Sequence, residues 1–191
     1  MHKNCPTNPY IQEFLYFCTE RSQSTTDRVQ STTTIRMALS FLLSSLLSLL
    51  FPHMQTLITQ LHRGNFSCVI RKGGVVREFS RRGVVDLYEL LVRDAAFLHG
   101  RDLADKVIGK GAAALMVKGG VARVYTDVIS TPALDLLRTK GVEVTFQTEV
   151  ANIRNRAETD LCPVEKRCLP LSDLDEMLAT IRDFLEQQHL I

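Results

Sequence analysis

Hydrophobic spacing becomes regular at Met54. Met54, Leu57, Ile58 and Leu61 recur at helical intervals, and Gly64 stops them. Phe66, Cys68 and Ile70 then alternate with Ser67, Val69 and Arg71, and Val75 to Ser80 forms a second extended run. Gly73-Gly74 between the two runs supplies the positive dihedrals of a tight turn, so an antiparallel hairpin is expected. Gly83 opens a helix carrying Val84, Leu87, Leu90, Leu91, Ala95 and Leu98, stopped at His99-Gly100. The stretch from Asp105 to Gly120 reads as a tight Gly-Lys-Gly lead-in to a short helix. Asp105 is its cap, Ala112, Ala113 and Ala114 are its close-packing face, and Gly119-Gly120 is its stop. Val121 to Ile129, rich in β-branched residues, reads as a buried strand. Thr131-Pro132 is a cap and first turn for a helix with Leu134, Leu136 and Leu137, ended by Gly141. Val142, Val144 and Phe146 give a further strand. Thr148 to Leu171 is less regular. A final helix starts at Ser172, with Asp175 completing a capping box, and buries Leu174, Met177, Leu178, Ile181, Phe184 and Leu185.

Helix, hairpin, helix, helix, strand, helix, strand, helix predicts an α/β domain over residues 54–191: three layers, α/β/α, around a mixed sheet whose last two strands join by a right-handed crossover. Residues 1–53 are set apart. Met1 to Thr34 is polar without a lasting period, and the apolar run Ala38 to Phe51 is shorter than the ~20 residues of a spanning helix. The extension is expected to be disordered or to lie upstream of the true start, with Met1, Met37 and Met54 as candidate starts. A weak membrane or export segment is the other reading of the apolar run.

Composition adds bounds. A net charge of +2 without a concentrated basic run argues against a nucleic-acid partner, and nothing from 54 to 191 suits a membrane. Five irregularly spaced cysteines suit a reducing, cytoplasmic setting more than a disulfide framework. Apolar positions on the first and last helices leave a homodimer open.

The chemistry concentrates on the Gly-Lys-Gly helix start. Its unsatisfied amides, with Lys106 and Lys110 one helical turn apart and Gly109 and Gly111 giving backbone access, form a candidate pocket for a small anionic or nucleotide-like molecule. The equally simple reading of the lysines is a solvated surface. Asn155 and Arg156 either read a polar ligand or stitch a loop together. Cys162, next to Glu165 and Lys166, is either a nucleophile stabilised by lysine or an inert cysteine at a turn. The ligand-binding set is therefore Asp105, Lys106, Gly109, Lys110, Gly111, Asn155, Arg156, Cys162 and Glu165. No metal ligands or cofactor are expected. Whether any reaction is catalysed stays open, with a non-zinc enzyme built on Cys162 as the alternative to a binding module.

The order of elements looks like the cytidine-deaminase-like fold. The strings ADKVIGKGAA, VISTPALDLL and NR followed by CPVEK resemble one small prokaryotic family with that fold, an uncharacterised domain of unknown function. The likeness spans Met54 to about Glu186. Active deaminases carry His or Cys with a Glu two residues later at one helix start, and Pro-Cys-x-x-Cys at another. This chain has Gly109-Lys110-Gly111 and Cys162-Pro163-Val164-Glu165, and no histidine from Arg101 to Gln188. The resemblance therefore implies the fold without the zinc chemistry, and places C–N hydrolysis as in deaminases behind both the binding module and the Cys162 enzyme.

Overall fold

The computed structural model describes residues 52–81 and 83–191. The N-terminal extension and its apolar run, apart from the last two positions before Met54, lie outside the described residues. Helix α1 (Pro52–Arg63) leads into a hairpin of β1 (Cys68–Lys72) and β2 (Val75–Phe79), followed by α2 (Val85–Leu98). Then come β3 (Asp102–Ile108), α3 (Lys110–Lys118), β4 (Arg123–Ser130), α4 (Thr131–Thr139) and β5 (Glu143–Val150). Short α5 (Pro163–Cys168) and α6 (Leu174–Gln187) complete the domain.

The five strands form one mixed sheet in the order β2-β1-β3-β4-β5. β1 is antiparallel to both β2 and β3, whereas β3, β4 and β5 run parallel. Sheet register and core membership agree. Ile70, Leu103 and Val124 lie side by side across three strands and feed the larger core, which gathers α2, α3, α4 and α6. Val69, Ala104 and Tyr125, one position along, face the other way and pack against Leu57 and Leu61 of α1. Alternating sides of the pleat thus carry helices on both faces.

The alternation slips once. Leu103 and Ile108 of β3 sit in the same core although five positions apart, as do Val124 and Ile129 of β4. A regular pleat would send them to opposite faces. The β3–β4 register holds one offset throughout, so both strands slip together. At the slip the Asp105 carboxylate accepts from the Val107 amide at 3.0 Å, and Thr126 Oγ1 donates to the Val128 carbonyl at 3.0 Å. Asp105 and Thr126 are register partners.

Several expectations are corrected. Asp105 is inside strand β3 and caps no helix, because the helix begins only at Lys110 with Gly109 as its N-cap. Lys106 and Lys110 therefore do not share a helical turn. Only Gly73 of the hairpin pair has a positive φ, 59°. Helix α4 is capped at Ser130, one residue before Thr131. Asp173, not Ser172, caps α6, its carboxylate accepting from the Asp175 and Glu176 amides at 2.9 Å each. The segment read as irregular holds α5, which Pro163 opens at its first turn.

Candidate functional site

Sequence dictates a junction at the carboxyl end of β3. Gly109 has no side chain, so the chain turns from strand into α3 in extended backbone without a side-chain cap. The missing cap comes from elsewhere: Glu165 of α5 accepts the Lys110 amide on its Oε2 at 2.5 Å. A carboxylate at a helix N-terminus satisfies an orphan amide and complements the dipole. Both glycines make room for this arrangement. A Cβ at Gly109 would stand 2.5 Å from Glu165 Oε2, and one at Gly111 would stand 2.4 Å from Val164 Cγ1. The anion expected at this helix start is the protein's own.

Beside the junction lies a cavity of about 370 Å³. Its walls come from the start of β1 (Ser67, Cys68), the start of α2 (Gly83, Val84, Asp86, Leu87), and the end of β3 with the start of α3 (Asp105, Lys106, Val107, Gly109, Gly111, Ala112). The loop after β5 and the start of α5 complete it with Ile153, Arg156, Cys162, Val164 and Glu165. The position follows from topology. β3 has an antiparallel neighbour, β1, on one side and a parallel one, β4, on the other, and the cavity lies where β3 ends and β1 begins.

Asp105 and Cys68 are register partners on β3 and β1, and both line this cavity. Burial pushes the Asp105 carboxyl up to about 7, against the lowering pull of the Val107 amide, the Cys68 thiol and the Lys106 amide. Burial, then the neighbouring Asp105 charge, holds the Cys68 thiol well above its ordinary value. Asp86 is engaged by Arg81, whose backbone amide donates to Oδ2 at 3.0 Å and whose side chain reaches Oδ1. Glu165 is 1% exposed, and its Oε1 has no hydrogen-bond partner among the described residues.

Of the nine residues singled out from sequence, Asp105, Lys106, Gly109, Gly111, Arg156, Cys162 and Glu165 line the cavity. Lys110 does not: its Nζ donates to the Leu169 and Leu171 carbonyls at 2.9 and 2.7 Å, tying α3 to the turn after α5. Asn155 stitches its own loop, accepting the Thr159 amide at 3.1 Å. Cys68, Ser67 and Asp86 were missed. Cys68 and Ser67 come to the cavity through the β1–β3 pairing and Asp86 through the first turn of α2, neither of which a single sequence marks as part of a site. Among the described residues no three His, Cys, Asp or Glu side chains gather as a metal-binding group, and no helix is long and apolar enough to cross a membrane.

The TM1506 domain-of-unknown-function profile, DUF1893, matches residues 56–185. The chain belongs to the DUF1893 family. The matched span runs from α1 to α6, so it includes every wall of the cavity. The crystal structure of a DUF1893 family protein, TM1506 from Thermotoga maritima, is similar with a TM-score of 0.65 and 23% identity, over 70% of this chain and 90% of that one. At that identity the likeness carries the DUF1893 fold and no residue roles. No curated protein matches the chain.

Proposed function

We propose that this DUF1893 domain binds a small anionic or nucleotide-like molecule in the cavity at the carboxyl end of β3. One observation carries the reading. A single cavity of about 370 Å³ brings together three acids, Asp86, Asp105 and Glu165, two bases, Lys106 and Arg156, the Ser67 hydroxyl and the Cys68 and Cys162 thiols among apolar side chains. Apolar walls with a few convergent polar groups, one of them with a strongly shifted pKa, are the usual makeup of a small-molecule site. Its volume lies within the ordinary range for such ligands. The sheet order, the hairpin and the parallel crossovers support a cytidine-deaminase-like arrangement for the domain. The reading needs no cofactor. Binding is preferred over nucleophilic catalysis at Cys162 because, among the described residues, no histidine lines the cavity to act as its base.

Two measurements on the full chain test it together. Nucleosides, nucleotides and phosphorylated metabolites are screened by thermal shift, where a ligand at a hundred times its dissociation constant adds about 2.7 kcal/mol of stability. Hits are then tested for protection of Cys162 against iodoacetamide, read by peptide mass spectrometry. Cys162 is the half-exposed thiol of the cavity, and Cys68 and Cys168 are buried. Protection of Cys162 by a stabilising compound is expected. Stabilisation without protection would move binding away from this cavity, and an empty screen would remove the reading.

A further inference from the structure

Glu165 does two things at once, and helix capping explains only one. Its Oε2 takes the Lys110 amide at 2.5 Å, while Oε1 is buried without a partner. A cap needs one oxygen. Leaving the second buried and unbonded is costly, most of all for a charged group, and native interiors pair nearly all such atoms. Two nearby cations are turned elsewhere: Lys110, whose own amide is the one capped, and Lys166, next in sequence. Lys110 is bound to two carbonyls, and Lys166 donates to Asp160 at 2.8 Å. The carboxylate is also wedged. Val164 and Cys168 on either side of it in α5 stand 2.4 and 3.3 Å from where a Gly111 Cβ would be.

Resting on the binding reading above, we propose that Glu165 is the specificity-determining acceptor of the cavity: its unpartnered Oε1 receives an N–H of the bound molecule, so the ligand is of a class carrying a nitrogen donor. An amino, amidine or cyclic-amide N–H, as on a heterocyclic base, meets that need. The same logic orients the ligand. A bare anionic group would face like charge at Glu165, so its donor-bearing end lies against Glu165 and its anionic end is directed towards Lys106 and Arg156, which line the same cavity.

Glu165→Gln inverts the hydrogen-bond polarity with little change in shape. The Lys110 amide holds the glutamine oxygen at the Oε2 position, so the amide nitrogen, a donor, takes the place of Oε1. The full chain and this variant are titrated calorimetrically with the nucleoside 5′-monophosphates of the common bases, with ribose 5-phosphate and with inorganic phosphate. The expected result is a base-bearing nucleotide that binds at least about tenfold more tightly than ribose 5-phosphate and loses at least about tenfold in Glu165→Gln. In case the variant fails to fold, the unmodified chain is titrated with the analogue of that nucleotide whose base N–H is removed by methylation, at the ring nitrogen or as the dimethylated amino group, and the same loss is expected. Affinity unchanged by both the substitution and the methylation overturns the inference. So does ribose 5-phosphate or phosphate binding as tightly as the nucleotides. Both results leave the cavity a ligand site. Absence of binding by every probe overturns the inference and the reading beneath it.

Discussion

Gly111→Ala separates the two explanations for the glycine-rich start of α3. Gly111 is buried and helical, and its φ is not in the left-handed region. On backbone propensity alone, alanine there stabilises by roughly 1 kcal/mol. Packing says the opposite. The new methyl would stand 2.4 Å from Val164 Cγ1, 3.3 Å from Cys168 Sγ and 3.5 Å from Ile181 Cδ1. Val164 is β-branched and buried in a six-residue helix wedged between α3 and α6, so it has few ways to yield. Overpacking of this kind costs about 1–3 kcal/mol, and the expected net is a loss of about 1–2 kcal/mol. For a domain of this size that lowers Tm by about 3–6 °C. Denaturant melts of the full chain followed by circular dichroism measure it, with Val164→Ala and the double variant completing a cycle. The double variant should be more stable than the two single losses summed, by about 1 kcal/mol or more, because the new methyl fills space that Val164 vacates. A single variant as stable as the parent, or strictly additive losses, would refute close packing as the reason for glycine here.

Lys110→Ala should destabilise by about 1–2 kcal/mol, since it strips the donor from the Leu169 and Leu171 carbonyls, and chemical denaturation should show the loss with any cavity ligand's affinity little changed. An unaltered midpoint, or a large loss of affinity, would return Lys110 to the ligand. Asp105→Asn keeps the oxygen that accepts from the Val107 amide and removes the titration. With its carboxyl pushed up to about 7, the parent's Asp105 stays protonated in the fold at pH values where it has ionised in the unfolded chain. The parent therefore loses stability as pH rises from about 4 to about 7, and the loss stays constant above that range. Unfolding free energies across that range should show Asp105→Asn gaining on the parent by up to a few kcal/mol. A constant difference would place Asp105 in a more watery setting.

The elements legible in the sequence are those with a clear period or a clear start and stop: α1, the hairpin, α2, α3, β4, α4, β5 and α6. β3 was not legible, although it is the middle strand. Its residues Asp102 to Ile108 include three charged side chains in seven, and the slip at Asp105 breaks the alternation that would have marked it. Two of those charges are explained by neighbours that a single sequence does not show. Asp102 holds Arg123 of β4 through both oxygens, at 2.7 and 2.8 Å, and Asp105 meets Cys68 of β1. The charges that hid the strand are the ones that bind it across the sheet and furnish the cavity. α5 escaped because six residues are too few for a period.

The candidate residues gather around one cavity for a reason other than the one their sequence suggests. Gly109 and Gly111 were read as openings for a ligand's approach to a helix start, and they do line the cavity. What approaches so closely at that start is α5: Glu165 over Gly109 and Val164 over Gly111. A small residue reports only that something is near, and a sequence does not distinguish a ligand from a neighbouring helix. Lysine misleads in the opposite way. Lys106 and Lys110 are the same residue type four positions apart, yet a strand end lies between them, and one reaches the cavity wall while the other ties down a turn. Glu165 was legible as a candidate from its place after Cys162-Pro163, but its role was not. That role depends on an amide fifty-five positions earlier, brought within 2.5 Å only when α5 folds onto α3. In the binding proposed above, the oxygen that contact leaves over would give the cavity its chemical preference, and that oxygen is left over only because tertiary packing brings the Lys110 amide to its partner.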